Sequence, residues 1–131
     1  MKLRFKMVAM LVLVTGIMFA TSCKKEDPTA PTVTTSDFVA QQNGSGEGGG
    51  NVTADGDADV TARGIVIGQT PNPAVTDQTV IKTTDGTGTG AFTSKLASGK
   101  LAPGFTYHVR AYATNSEGTS YGADKTFDVP L

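Results

Sequence analysis

The sequence predicts an all-β antiparallel sandwich, and three observations predict it. Residues 105–114 alternate, with Phe105, Tyr107, Val109, Ala111 and Ala113 on one face and Thr106, His108, Arg110, Tyr112 and Thr114 on the other. A period of two with one apolar face is the mark of a half-buried strand. No helical period occurs past residue 23. In its place stand short runs rich in Thr, Val and Gly, bounded by Gly, Pro, Asn and Asp, the composition of short strands and tight turns.

Residues 1–22 read as a signal peptide that is removed from the mature chain. Lys2, Arg4 and Lys6 form a basic start, and Met7 to Ala20 is apolar apart from Thr15 and Gly16. That run of about 14 residues suits a secretory apolar core and is short for a bilayer core of about 30 Å. Cys23 is the only cysteine, so no disulfide forms within the chain. Residues 23–32 are polar, carry Pro28 and Pro31, and read as a short extended stalk.

Residues 33–131 amount to one domain. From Ser36 onward six Lys and Arg stand against ten Asp and Glu. Such a mildly acidic surface argues against a nucleic-acid partner, because phosphate binding needs a positive face. The first strand is expected over Pro31–Val39 and the second over Ser45–Ala54, followed by a turn at Asp55–Asp59. A third runs over Val60–Gln69, with Ile65 and Ile67 inward, until Thr70-Pro71-Asn72-Pro73 breaks it. A short strand over Val75–Lys82 and a glycine-threonine loop over Thr84–Thr89 come next. Gly90–Leu96 is then a strand anchored by Phe92. Pro103-Gly104 is a turn signal before the alternating strand. Asn115-Ser116-Glu117-Gly118 closes that strand, and Thr119–Tyr121 with Lys125–Val129 completes a hairpin.

Leu101-x-Pro103-Gly104-x-x-Tyr107-x-Val109-x-Ala111 resembles the sixth-strand signature of fibronectin type III domains, a branch of the immunoglobulin-like sandwiches. The resemblance implies a tyrosine corner: the Tyr107 ring lies in the core, its hydroxyl bonds to upstream backbone, and Leu101 plugs the turn at Pro103. Physics asks for the same, since a buried unpaired hydroxyl is costly. Ala20-Thr21-Ser22-Cys23 resembles the lipobox of bacterial lipoproteins, although Phe19-Ala20 stands where Leu is commoner. It implies that Cys23 is lipidated and becomes the new N-terminus. At about 0.8 kcal/mol per buried methylene, two or three acyl chains such as palmitate hold permanently. Ser22-Cys23-Lys24-Lys25-Glu26-Asp27 is similar to lipoprotein starts of the Bacteroidota. It implies an outer-membrane location, and the acidic pair suggests display at the cell surface.

The resemblance extends across the domain. Gly49-Gly50-Asn51-Val52, Thr61-x-Arg63-Gly64-Ile65, Pro71-Asn72-Pro73, Asp85-Gly86-Thr87-Gly88-Thr89-Gly90-x-Phe92-Thr93 and Tyr112-Ala113-Thr114-Asn115-x-x-Gly118-Thr119-x-Tyr121-Gly122 are similar to repeats of bacterial surface lipoproteins with fibronectin III-like domains. On that likeness Gly44–Gly50 is expected as a Gly-rich strand, the other reading being a linker. Relatives carry Arg-Gly-Val-Cys-Trp in the third strand, where this chain has Arg63-Gly64-Ile65-Val66-Ile67. The chain has no Trp, so Ile and Phe must fill the core. Lys125 occupies a usually apolar position and is expected to snorkel.

Chemistry-bearing patterns are few. Gly44–Gly50 lacks the Lys-Ser/Thr and helix of a phosphate loop, and Asp85–Gly90 lacks dinucleotide spacing. Asp55, Asp57 and Asp59 are spaced like the first calcium-loop ligands, but Val66 stands where the bidentate Glu belongs. An acidic turn is the expectation, with metal binding the alternative. His108 is the only His and has no zinc partner or nucleophile nearby. It is expected as a plain surface residue, and with Arg110 and Tyr112 it forms an outward patch of ordinary cross-strand pairing, the alternative being a partner-binding face.

No catalytic pair and no cofactor is expected. The function that follows is a non-enzymatic, lipid-anchored envelope module for adhesion or display, with a protein or glycan ligand. A carbohydrate-binding accessory lipoprotein, with Tyr112, Tyr121 and Phe38 as its exposed aromatics, and a subunit of a larger envelope assembly are the alternatives.

Overall fold

Nine strands in two antiparallel sheets make up a β-sandwich in the computed structural model, which describes residues 27–131. The signal peptide, Cys23 and the residues up to Glu26 lie outside the described residues. The strands are β1 (Thr32–Thr35), β2 (Val39–Ala40), β3 (Gly46–Ala54), β4 (Ala62–Gly68), β5 (Ile81–Lys82), β6 (Gly90–Leu96), β7 (Thr106–Asn115), β8 (Gly118–Tyr121) and β9 (Lys125–Asp128). In the first sheet β3 pairs with β6 along one edge and with β1 and β2 along the other. In the second, β4 lies between β5 and β7, and β8 and β9 share the far edge of β7.

The core between the sheets is built from Val52, Ile65, Ile67, Phe92, Val109 and Phe127 with their neighbours. The core has no Trp, and glycines let β3 come close to its neighbours. The glycine run of β3 is strand, and its glycines face bulky neighbours. A Cβ on Gly48 would stand 2.5 Å from the Phe38 ring, and one on Gly46 would overlap the same ring. A Cβ on Gly50 would come 2.6 Å from the Ala111 Cβ of the opposite sheet. Gly49 has φ 149°, and a Cβ there would collide with the Phe92 carbonyl of β6. The run is therefore where Phe38 and the facing sheet approach the backbone. Phe38 in turn lies 4.4 Å from Phe127, whose ring stacks on Tyr107 at 5.7 Å.

Several elements depart from expectation. The first strand is two pieces, because the chain turns Phe38 inward between them and Ser36 N–H bonds the Gly49 carbonyl. The last strand is likewise split. Thr35 reaches across, its hydroxyl accepts the Ala111 N–H at 3.1 Å, and Gly122 leaves room for it. The expected strand over Val75–Lys82 shrinks to Ile81–Lys82, since Pro71, Pro73 and a left-handed Asn72 (φ 57°) hold 69–80 as loop. Phe105, expected inward, is 54% exposed, because β7 begins one residue later at Thr106. Val66 is buried together with Ile65 and Ile67, so both faces of β4 are covered.

The Tyr107 hydroxyl accepts the Ala102 N–H at 3.0 Å, Leu101 is buried and bonded through its N–H to the Gly44 carbonyl, and Pro103 is exposed on the turn. The last residues of the expected stalk pack against the domain. Thr29 donates its N–H to the Gly56 carbonyl at 2.8 Å, and its own carbonyl accepts Asn115 Nδ2 at 2.7 Å. Thr29 is thus docked on the domain. Lys125 is half-exposed and its Nζ lies 2.9 Å from Asp37. That surface ion pair holds the Asp37 carboxyl below its usual range through the Lys125 hydrogen bond and charge, and screened by water it adds little stability.

Replacing Gly50 by Val tests this close approach. It forces the side chain into Ala111 and Phe92, and the expected loss is about 1–3 kcal/mol or more. A chemical-denaturation midpoint that does not fall would show that the sheets separate freely at this point.

Candidate functional site

The outward face of the second sheet is the surface that the alternation of β7 offers, and the register defines its members. Gly64, Val66 and Gly68 of β4 lie opposite Tyr112, Arg110 and His108 of β7. Tyr121 of β8 stands beside Tyr112, and Lys82 of β5 beside Val66. The structure does bring His108, Arg110 and Tyr112 together, but not as an open binding face. Tyr112 is 1% exposed. Residues 69–80 fold back over the sheet as a strap, with Pro73 buried on its inner side. Small residues admit it: a Cβ on Gly68 would meet Val80 at 3.3 Å and Pro73 at 3.4 Å.

Polar side chains of the sheet and its edge hold the strap in place. Arg110 donates Nε and Nη2 to the Pro73 carbonyl at 3.0 and 2.8 Å, and Nη2 also reaches the Asn72 carbonyl at 3.3 Å. Its guanidinium lies 3.9 Å from the Tyr121 ring centroid, a cation–π contact. The Tyr121 hydroxyl accepts the Val75 N–H at 3.0 Å. Asp124 accepts the Asn72 N–H at 3.0 Å while His108 Nδ1 faces both of its carboxylate oxygens at 3.0 and 3.1 Å. His108 is therefore half-buried and engaged, not a plain surface residue. At the strap's outer turn Asp77 accepts the Thr79 N–H and hydroxyl, which hold its carboxyl below the usual range.

A second polar cluster closes the sandwich beside β5. Arg63 donates to the carbonyls of Asp85, Gly88 and Thr89, and its guanidinium lies 5.3 Å from the Phe92 ring. Fully buried Ser94 donates to the Asp85 carboxylate, which also accepts the Thr83 hydroxyl at 2.8 Å. The Tyr112 hydroxyl donates to the Thr83 carbonyl at 2.5 Å. Burial pushes the Tyr112 phenol above its usual value; the Thr84 hydroxyl opposes the shift, and the Asp85 and Tyr121 charges add to it.

Asp55 uses a carboxylate oxygen to accept the Asp57 N–H at 2.9 Å, and Asp57 itself is left-handed (φ 64°). Asp55, Asp57 and Asp59 thus shape a turn. Among the described residues no three His, Cys, Asp or Glu side chains converge as a metal site, and no helix is long and apolar enough to cross a membrane. The aromatic set expected for sugar stacking does not assemble, because Phe38 (6% exposed) and Tyr112 are core residues and Tyr121 is covered by Arg110. Sequence reading missed Asp124, Asn115 and the strap. The signal for the strap was Asn72-Pro73, two residues whose carbonyls Arg110 binds.

These strands define an antiparallel β-sandwich. No protein family and no curated protein matches the chain. A solved structure described as "Myokine structure" is similar to it, with a TM-score of 0.49 and 20% identity over 80% of this chain and all of that one.

Two measurements test this site. Arg110→Ala removes the fork that holds Pro73 and Asn72, and hydrogen exchange at the Asn72 and Val75 amides should accelerate by about tenfold or more. Unchanged protection would show that apolar contact alone holds the strap. Because the folded state binds the Tyr112 proton more tightly than the unfolded chain, its contribution is intact below about pH 10 and is lost as pH rises through the folded value. Unfolding followed across that range should show falling stability, and Tyr112→Phe should flatten the fall.

Proposed function

We propose that the protein is a lipid-anchored, non-enzymatic binding or display module of a bacterial cell envelope, a fibronectin type III-like sandwich carried on Cys23. The observation that carries the reading is the run from Lys2 to Cys23, a basic start, an apolar core and small residues before a single cysteine, joined directly to an all-β domain. The hydroxyl bond from Tyr107 to the chain just before it supports the finer fold reading, because that bond is the feature of a tyrosine corner. Lys24 and the acidic Glu26-Asp27 pair, through their resemblance to lipoprotein starts of the Bacteroidota, support outer-membrane placement with the domain displayed outward.

Contact with a partner falls to the loops and the strap's outer side. Thr70, Asn72, Thr76, Gln78 and Thr79 are exposed there and offer hydrogen-bonding groups with little charge. This composition suits a protein or glycan surface read by polar contacts. Cys23→Ala should move the protein from the membrane fraction to the soluble one; continued membrane association would overturn the anchor. Protease treatment of intact cells, with lysed cells as control, should remove the domain if it faces outward, and protection until lysis would place it in the periplasm.

A further inference from the structure

We infer which end of the sandwich faces the lipid: the protein stands on the membrane by the end formed by the Asp55–Asp59 turn, the β7–β8 turn and the 83–89 loop. The inference rests on the proposed anchor at Cys23. Its structural basis is the docking of Thr29. That residue is clamped from both sides, its N–H by the Gly56 carbonyl at 2.8 Å and its carbonyl by Asn115 Nδ2 at 2.7 Å. Asn115 also donates to the Asp55 carbonyl at 2.8 Å and accepts the Glu117 N–H at 2.8 Å, so one buried side chain joins the incoming chain to both turns. A Cβ on Gly56 would collide with the Thr29 carbonyl, which keeps the turn pressed onto the lead.

Five residues, Lys24 to Pro28, separate Cys23 from Thr29. A chain of that length spans at most about 20 Å. β7 has ten residues and runs from one end of the sandwich to the other, a length of about 33 Å. The tether is therefore shorter than the domain, and it leaves from one end. Standing upright on the far end, with the Gln41–Ser45 turn and the 97–105 loop against the bilayer, would need a tether as long as the domain, about 33 Å. Charge does not set this orientation. Asp57, Asp59 and Glu117 are exposed at the near end, and its Arg63 is engaged by three carbonyls. That end has no free cation among these residues to adhere to anionic headgroups, so the tether sets the orientation. Exposed Phe105 and Val39 both lie at the far end, at the start of β7 and opposite the start of β3. The far end is the surface that an approaching macromolecule meets first.

The test uses the acylated full chain in vesicles of phosphatidylethanolamine and phosphatidylglycerol carrying a rhodamine headgroup label. Acylation consumes the single native thiol, so an introduced cysteine takes the donor dye alone. Ser116→Cys marks the near end and Ser98→Cys the far end, and both positions are exposed. Energy transfer from Ser116→Cys should exceed that from Ser98→Cys by at least about twofold, given an end-to-end separation of about 33 Å. Equal or reversed transfer, in protein that floats with the vesicles, overturns the orientation and leaves the anchor standing. Protein that does not float overturns the anchor, and the orientation with it. Inserting a ten-residue Gly-Ser segment between Pro28 and Thr29 should erase the difference; a difference that persists overturns the short tether as its cause.

Discussion

The close approach of β3 to its neighbours is the constraint from which the rest of the fold follows. The core has no Trp, and protein interiors leave little space unfilled. Here the backbone itself fills the gap. Gly46 and Gly48 lie under the Phe38 ring, and Gly50 meets Ala111 of the opposite sheet. Phe38 then reaches Phe127, and Phe127 reaches Tyr107. The break between β1 and β2 exists to deliver Phe38, so a local irregularity at the edge and a glycine run in the centre are two parts of one packing solution.

The second sheet shows the opposite treatment. Its inner face is ordinary apolar core, and its outer face is covered by the chain's own strap, held mainly by Arg110, Tyr121 and Asp124. The attachment is polar, made to the backbone carbonyls of Asn72 and Pro73 in the strap, while Tyr112 is covered beside it by Lys82, Thr83 and Thr84. Such carbonyls match a planar guanidinium fork in a way that a lysine could not reproduce. The groups left for outside contact are the short polar side chains on the strap's outer side. Sandwich folds of this kind commonly locate recognition on loops held by a rigid scaffold.

Much of this was legible in the sequence. β4, β6 and β7 fall close to where alternation and turn residues place them, β3 lies where the likeness to surface-lipoprotein repeats led it to be expected, and the inward side of β7 from Tyr107 to Ala113 follows from a period of two. The period failed at Phe105, where Pro103-Gly104 ends one residue before the strand begins. It failed again at Tyr112 and Val66, whose burial depends on a segment packing back from elsewhere in the chain. A two-residue repeat says which residues share a face and nothing of what covers that face. Phe38 misled for a related reason: a large aromatic beside Ser36 and Asp37 reads as exposed until the glycines beneath it are seen. Asn115 looked like a turn residue and serves as one, but its amide also holds Thr29, a contact 86 residues away along the chain.

The divided outer strands have a bearing on how copies of the chain behave toward one another. A sheet edge recruits a neighbour by offering a row of successive unpaired N–H and C=O groups. On the side bounded by β1, β2, β8 and β9, no strand is longer than four residues. Thr35 already occupies the Ala111 N–H at the gap. The longer β6 edge carries Lys95 on its exposed face. A short row ending in a kink supports too few bonds to zip two molecules together. Copies at high density can then jostle without growing into fibrils, a tolerance of crowding that comes from the same residue, Thr35, that stitches the two sheets together.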